Sequence, residues 1–495
     1  MFQKSHPTLL GSLAIAATLA MVAATSALAG PLSDSDLEVR VWTADEQDLF
    51  VLEHEVTHHM QEDAHSVLAH QLLSHLMVRL FTRDPSDLYL LRQSADLAQQ
   101  AVDLEPNNPR GYSALADILD LMGNAERGLK LLDEAEAVGI KPNWRFAFTR
   151  ARLMADKAPS SKVLAELRKA MQLPQSESRI VVPYVVALLQ GESSGQDLVK
   201  NLKEWNRQFP SPLFDLTAAI TLAELGEANA AHVIYQHMLQ ATPHDKEALV
   251  NDGIILYRDL HQSARGILLL ERALAEHQGD LSSDTRAMIS AHLGAALLQQ
   301  KKWAQAHNRF VTAITVAPGN LGLIDFMARS YRDAKQPQQL VLTLRRLNAT
   351  LPGAGVLHAL LGETLSEQLE KHDDAVHAFA DAVLIEPDRS DYYNGMGLAL
   401  YRAKSYKNAL KAFAQATEVD PNDATARYNE ACVLAVVGRR DEALSLLAEA
   451  ISIDPRLMTT AQADADFASL KSSPKFNSLV QGEGSTEVEA SSVAH

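Results

Sequence analysis

The chain is short of several things, and each shortage removes a class of function. One cysteine, Cys432, stands in 495 residues, so neither an intrachain disulfide nor a cysteine-based structural zinc site can form. Cys432 falls inside a helical stretch, where the expected role is that of a small packed side chain. Aromatic residues are scarce, 6% against 47% hydrophobic residues in all, and Ala and Leu dominate, as packing of small against medium side chains between helices requires. Basic runs are missing and the net charge is −17, which argues against nonspecific nucleic-acid binding and against attraction to anionic membrane surfaces. No phosphate-binding glycine loop, nucleophile elbow or Cys/His pairing occurs.

An apolar run at the N-terminus, Leu9 to Ala24, follows the positive charge of Lys4 and precedes Ala27-Leu28-Ala29, a small-x-small cleavage pattern. Residues 1–29 are therefore expected to be a secretory signal, with the mature chain starting at Gly30 and residing in the periplasm or outside the cell. Thr18, Thr25 and Ser26 leave the run short of the ~20 apolar residues a membrane span needs. No stable span is expected after cleavage, and no Cys follows the cleavage site to carry a lipid.

What the chain has in abundance is periodicity. Pro318, Pro352, Pro387, Pro421 and Pro455 are separated by 34, 35, 34 and 34 residues. A proline cannot continue the helix behind it but fits the turn leading into the next one, so each closes a helix pair. Between the prolines, small and large residues recur in register. Before Pro421 they are Tyr393, Met396, Gly397, Leu400, Ala409, Phe413 and Ala416; before Pro318, Leu293, Gly294, Leu297, Ala306, Phe310 and Ala313; before Pro455, Leu434, Gly438, Ala443, Leu447 and Ala450. Gly or Ala where two helices cross lets the backbones approach, and Phe or Leu one turn later fills the adjacent groove.

This pattern resembles the tetratricopeptide repeat family, whose first helix carries an aromatic, a Leu-Gly pair and a Tyr-like position, and whose second carries Ala, Phe and Ala before a Pro. The match is strongest from Ala287 to Pro455. It departs from the family at Leu340 and Leu347, where the family has Ala, and by one residue inserted between Gly362 and Ala375; neither departure breaks the hairpin. Upstream, Gly226, Ala231, Tyr235 and Pro243 mark one hairpin, Gly253, Leu256 and Ala273 another, and Tyr112, Leu115, Gly123 and Ala135 a further copy. The resemblance implies an all-α, right-handed α-solenoid of stacked helix-turn-helix repeats. The expected organisation is a His-rich helical segment at 30–86, degenerate repeats at 87–211, the array at 212–455, capping helices at 456–480 and a disordered polar tail at 481–495. About eleven units of ~34 residues fit between Asp87 and Val480.

In the family, the second, fifth, ninth, twelfth and thirteenth positions of the first helix face a concave groove that receives extended peptides or partner helices. Carried over, these positions are Arg329, Arg332, Asn394, Tyr401, Arg402 and Tyr428, a mixture of charge and aromatic surface suited to carboxylates and backbone groups of a bound segment. Ala295, Leu298, Leu398 and Ala435 in the same register break the regular Lys/Asn pattern of the family's carboxylate clamps, so a clamp on C-terminal peptides is not expected.

A second motif competes. His54-Glu55-Val56-Thr57-His58 fits HExxH, which sets two zinc-binding imidazoles one helical turn apart beside a general-base Glu. Thr43 to Glu46 offers a capping box, and no Gly or Pro occurs before Pro85, so one long helix or a tight helical pair should carry the motif. At about 100° per residue, His54, His58 and His65 fall within about 40° of one another with Glu62 beside them, while His59, His70 and His75 point elsewhere. A peptidase lacks its other parts: Gln61 and Ala64 stand where the extended motif needs Gly and a third ligand, no Glu occurs from Asp63 to Leu104, and Leu37 to Trp42, which alternates like one strand, is no sheet. Three readings remain for this segment: a zinc peptidase, a noncatalytic metal or pH-sensing site on His54, His58 and His65, and an amphipathic packing helix.

The leading expectation is an exported scaffold, neither an enzyme nor a cofactor carrier, that binds protein or peptide ligands of the cell envelope. Self-association through its end faces is a further expectation. A zinc-binding protein or metallopeptidase is the alternative.

Overall fold

Polar side chains along the sequence explain where many helices begin. Asn108, Asn143, Ser211, Asp245, Ser282, Asn320 and Asp423 each accept a hydrogen bond from a backbone N–H two or three residues on, which satisfies a donor that the helix itself leaves orphaned. Pro109, Pro212 and Pro337 occupy the first helical position, where no N–H is needed. A computed structural model describes residues 34–44, 48–83, 88–155, 157–174 and 176–481. The expected signal segment and residues 482–495 of the expected tail lie outside the described residues. Helices joined by short turns make up the fold, with no strand among the described residues.

Contacts divide the chain between Asp280 and Leu281, within the stretch expected to be one array. The first unit opens with α1 (Asp34–Thr43), α2 (Leu49–Glu62), α3 (Val67–Arg83) and α4 (Leu88–Leu104). It continues with α5 (Pro109–Leu121), α6 (Ala125–Ala137), α7 (Trp144–Met154), α8 (Ser160–Gln172), α9 (Ser178–Glu192) and α10 (Gly195–Gln208). It ends with α11 (Pro212–Glu224), α12 (Ala228–Ala241), α13 (Lys246–Arg258) and α14 (Ser263–Glu276). From α3 onward, each odd-numbered helix pairs with the next as a hairpin.

The second unit holds five hairpins: α15 (Ser283–Gln299) with α16 (Trp303–Val316), α17 (Leu321–Asp333) with α18 (Pro337–Thr350), α19 (Gly355–Glu363) with α20 (His372–Ile385), α21 (Ser390–Arg402) with α22 (Tyr406–Val419), and α23 (Ala424–Val436) with α24 (Arg440–Ile453). The short helices α25 (Leu457–Ala463) and α26 (Pro474–Gln481) close its end, with Phe467, Leu470, Phe476 and Val480 packed on Leu447 and Ala450. No helix among the described residues is long and apolar enough to cross a membrane.

The helix crossings follow the Gly and Phe register. A Cβ on Gly397 of α21 would sit 2.5 Å from the Phe413 ring of α22, and Gly294 against Phe310 and Gly362 against Phe379 repeat the arrangement at 2.8 and 2.7 Å. Only a residue without a side chain lets the ring lie flat on the neighbouring backbone. Leu340 and Leu347, where Ala is usual, are fully buried on α18. The extra residue between Gly362 and Ala375 is absorbed as a π-helical turn, Thr364–Gln368, at the end of α19, so the hairpin keeps its packing.

The N-terminal segment departs from the sequence reading. Leu37 to Trp42 is the interior of helix α1, not a strand: Leu37 and Val41 lie one turn apart and both are buried with residues of α2 and α3, a spacing that a short alternating run shares with a helix. Of the two expected arrangements for the histidine-rich stretch, the helical pair forms and the single long helix does not. Its first helix ends at Glu62, the chain turns through Asp63, whose carboxylate accepts from the His65 N–H at 3.0 Å, and the second starts after Ser66, whose hydroxyl caps Ala69. α2 begins behind Asp48 with no side-chain cap; Asp45 and Glu46 of the expected capping box lie outside the described residues. α3, expected to belong to the His-rich segment, is the first helix of a hairpin with α4, and Ser74 and Ser94 exchange hydrogen bonds at their crossing.

Candidate functional site

In the first unit the helix α1 lies on the first helices of four successive hairpins. Counted from the start of each of those helices, the side chains around it occupy the second, fifth, ninth and thirteenth positions: Gln71, His75 and Arg79 on α3, Arg110 and Asp117 on α5, Arg145, Phe148 and Arg152 on α7, and Arg179 on α9. This is the register expected to face a groove. The Glu38 carboxylate accepts from Arg145 Nη2 at 2.8 Å and from Arg110 Nη1 at 3.1 Å, and Arg110 also donates to Gln71 Oε1 at 3.0 Å. Asp36 pairs with Arg179 at 3.3 Å. Arg79 donates to the carbonyls of Val41 and Ala44 at 3.0 and 2.6 Å, satisfying acceptors that the end of α1 leaves open.

Trp42 completes the contact. Its ring stacks on His75 with centroids 3.6 Å apart, meets Phe148 edge-on, and lies 3.9 Å from the Arg145 guanidinium, which also covers Trp144 at 4.2 Å. Glu38 and Arg145 are both out of solvent, at 3% and 0% exposure. Burial alone would raise the Glu38 carboxyl, but Arg145 and Arg110 hold it below the usual carboxylate value. Burial brings Arg145 down to about 10, with Glu38 opposing the shift. Burial, reinforced by Arg145, Arg152 and Arg79, pushes the His75 imidazole well below its usual value, so it is neutral at pH 7. Asp117, paired with Arg152 at 3.1 Å, is raised by burial.

In the second unit the expected groove residues fall into two sets. Arg329 and Arg332 are exposed on α17, with Arg329 2.9 Å from Asp325 on the same helix. Asn394 accepts from Asn429 at 2.9 Å, and Arg402 reaches Ser366 Oγ at 3.2 Å and Glu367 at 3.3 Å. Tyr401 and Tyr428, by contrast, do not face open surface. Their hydroxyls donate to Asp466 at 2.6 Å and Asp464 at 2.8 Å in the segment after α25, and Phe467, fully buried, meets Tyr428 edge-on. The sequence placed this segment as a cap at the end of the array; its return along the first-helix face is set by long-range packing. Burial, together with the aspartates, raises both phenols above the usual tyrosine range and raises the Cys432 thiol likewise.

Cys432, Asp464 and Asp466 form the one group of three metal-type ligands found among the described residues, with ligand atoms within 4.8 Å of one another. The carboxylates already accept from Tyr428, Tyr401 and the Asp466 N–H, and the thiol lies 3.7 Å from Asp464, so hydrogen bonds within the closing segment account for the arrangement. His54, His58 and His65 form no such group. His54 and His58 are exposed on α2, His65 has left that helix, and Glu55 is held through both oxygens by Arg40 at 2.7 and 3.2 Å. The residue suited to act as a general base is thus an ion-pair partner joining α1 to α2.

The sequence reading overlooked the α1 site, because the repeats that build it lack the Leu-Gly and Ala-Phe signatures. The signal available was the helix starts: Asn108 and Asn143, as N-caps, fix Arg110 and Arg145 at the second helical position.

Residues 367–424 and 394–457 match the tetratricopeptide repeat family model. No curated protein matches the chain. Among solved structures the chain is similar to yeast Tom70, at 14% identity over 88% of this chain and 96% of that one, with a TM-score of 0.30. It is also similar to YrrB, described as a TPR protein with an unusual peptide-binding site, at 21% identity over 46% and 96% with a TM-score of 0.25. A third similarity is to the MamA protein, at 16% identity over 35% and 94% with a TM-score of 0.28. None of these transfers a ligand or a partner. Pro387, Pro421 and Pro455 and the Gly397–Phe413 crossing fall within the matched stretch, so residues 367 to 457 form tetratricopeptide repeats.

Proposed function

We propose that the protein is an exported scaffold, periplasmic or secreted, that binds acidic segments of cell-envelope proteins on the first-helix faces of its hairpins. One observation carries this reading: each unit already holds carboxylates of its own terminal segment there, Glu38 and Asp36 on Arg145, Arg110 and Arg179 in the first, Asp466 and Asp464 on Tyr401 and Tyr428 in the second. Charge-assisted hydrogen bonds from Arg are well matched to carboxylates. Arg329, Arg332, Asn394 and Arg402 extend the same chemistry over α17 and α21. The role requires no catalytic residue and no cofactor.

In a pull-down from envelope extract, the full chain carrying Arg329→Glu, Arg332→Glu and Arg402→Glu is expected to lose its partner. Retention of every partner by that variant would count against the reading. Export is checked on the same material by intact mass: a chain beginning at Gly30 is expected, and an uncleaved chain confined to the cytosol would overturn that part.

A further inference from the structure

We infer that α1 is a stand-in ligand: the site it fills on α3, α5, α7 and α9 takes a partner protein's acidic helix, buried on more than one side, and α1 occupies that site until such a helix displaces it. The inference rests on the groove reading above and adds the identity of the occupant. The register is the first support, because the side chains that hold α1 come from the second, fifth, ninth and thirteenth helical positions of successive hairpins and not from an unrelated surface.

The chemistry of α1 is the second. Its ten residues are fewer than the ~12–15 at which an isolated helix becomes even marginally stable in water, so the site orders the helix. Asp36 and Glu38 meet three arginines, Val39 enters the core beside Trp144 and Val185, and Trp42 inserts between His75 and Arg145.

The third support is that the fit is incomplete. Arg145 is wholly buried yet bonds through Nη2 alone; its Nε and Nη1 have no acceptor. Trp42 Nε1 and Gln71 Nε2 are also unpaired, and both residues line a small cavity with Ser74, His75 and Asp117. Buried donors without acceptors are costly, most of all on a charged group. A helix that carries carboxylates at the places of Asp36 and Glu38, apolar residues at those of Leu37, Val39 and Val41, an aromatic at that of Trp42, and one more acceptor facing Arg145 would satisfy the site better than α1 does.

The test uses the full chain and a fluorescently labelled peptide of residues 34–44. Glu38→Arg, which sets a cation of α1 against Arg145 and Arg110, is expected to bind the peptide at least tenfold more tightly than the wild-type chain, because its own α1 no longer competes. Adding Arg145→Met, or placing Glu38→Arg in the peptide, is expected to abolish that binding. Should Glu38→Arg fail to fold, a protease site in place of Asp45–Gln47, cut after purification, keeps the site native; the cut chain is expected to take up labelled peptide at least tenfold faster than the uncut one. Peptide uptake no greater than wild type by a folded Glu38→Arg chain or by the cut chain would overturn the inference. A Glu38→Arg chain that dimerises by inserting segments of its partner would also overturn it, by assigning the site to exchange between copies. Loss of partners by the Arg329, Arg332 and Arg402 variant without any peptide uptake would sink this inference and leave the scaffold reading standing.

Discussion

Gly397 has no side chain to contribute, yet it sets the distance between α21 and α22. The Phe413 ring lies where a Cβ would be, 2.5 Å away, and both helices are buried at the crossing. Gly397→Ala must therefore move the ring or the helix, and the expected loss is about 1–3 kcal/mol, the usual cost of overpacking. Urea denaturation reads it, with Gly319→Ala, whose Cβ meets nothing within 4 Å, as the neutral comparison. Equal midpoints for the two variants would show that the crossing tolerates a wider gap. At this scale the sequence was legible, because Gly and Phe are rare in the chain and recur at fixed offsets. Arg145 was not: an arginine at a helix start reads as solvated surface until Glu38, 107 residues earlier, is found on it.

The hairpin turn is the element-scale counterpart. Three turns between first and second helices place glycine in the left-handed region, Gly123, Gly226 and Gly438, at φ of 75°, 80° and 86°. Five other turns ask the same of His261, Lys301, Lys335, Glu370 and Lys404, at φ between 54° and 60°. The requirement comes from how the helix ends. The Lys302 N–H returns to the Leu297 carbonyl at 3.0 Å, Gln336 to Tyr331 at 2.9 Å and Ser405 to Leu400 at 2.8 Å, closures that need one left-handed residue in between. A side chain there costs roughly 1–2 kcal/mol, while glycine gives some of that back as unfolded-state entropy. Lys301→Gly, Lys335→Gly and Lys404→Gly are each expected to stabilise the protein by about 0.5–1 kcal/mol. Thermal midpoints measure this, and a lowered midpoint in all three variants would contradict it. The inserted residue after Gly362 shows the limit of such reading: the sequence located it, and the structure decided that a π-helical turn would absorb it.

For the second unit as a whole, stability accumulates from neighbour to neighbour along the stack. Its closing segment buries Phe467, Leu470, Phe476 and Val480 on the last hairpin and occupies Tyr401 and Tyr428. Removing residues 464–481 is expected to raise amide hydrogen exchange first in α23 and α24, with the effect fading toward α15. A uniform rise over the five hairpins would mean that the unit unfolds as one cooperative block instead.

The sequence by itself determined the all-α hairpins, their period and the Gly and Phe crossings, because each depends on residues within one repeat of one another. It could not determine which first-helix faces are open. Tyr428 meets Asp464 36 residues later, Tyr401 meets Asp466 65 residues later, and Arg145 holds Glu38 over still greater separation. The histidine face failed for a related reason: an angular projection from His54 to His65 assumes an unbroken helix, and the chain turns at Asp63. Periodicity constrains what lies along a helix, whereas the segment that comes to rest upon it is chosen by long-range packing and by carboxylates finding buried arginines, and only the tertiary structure records that choice.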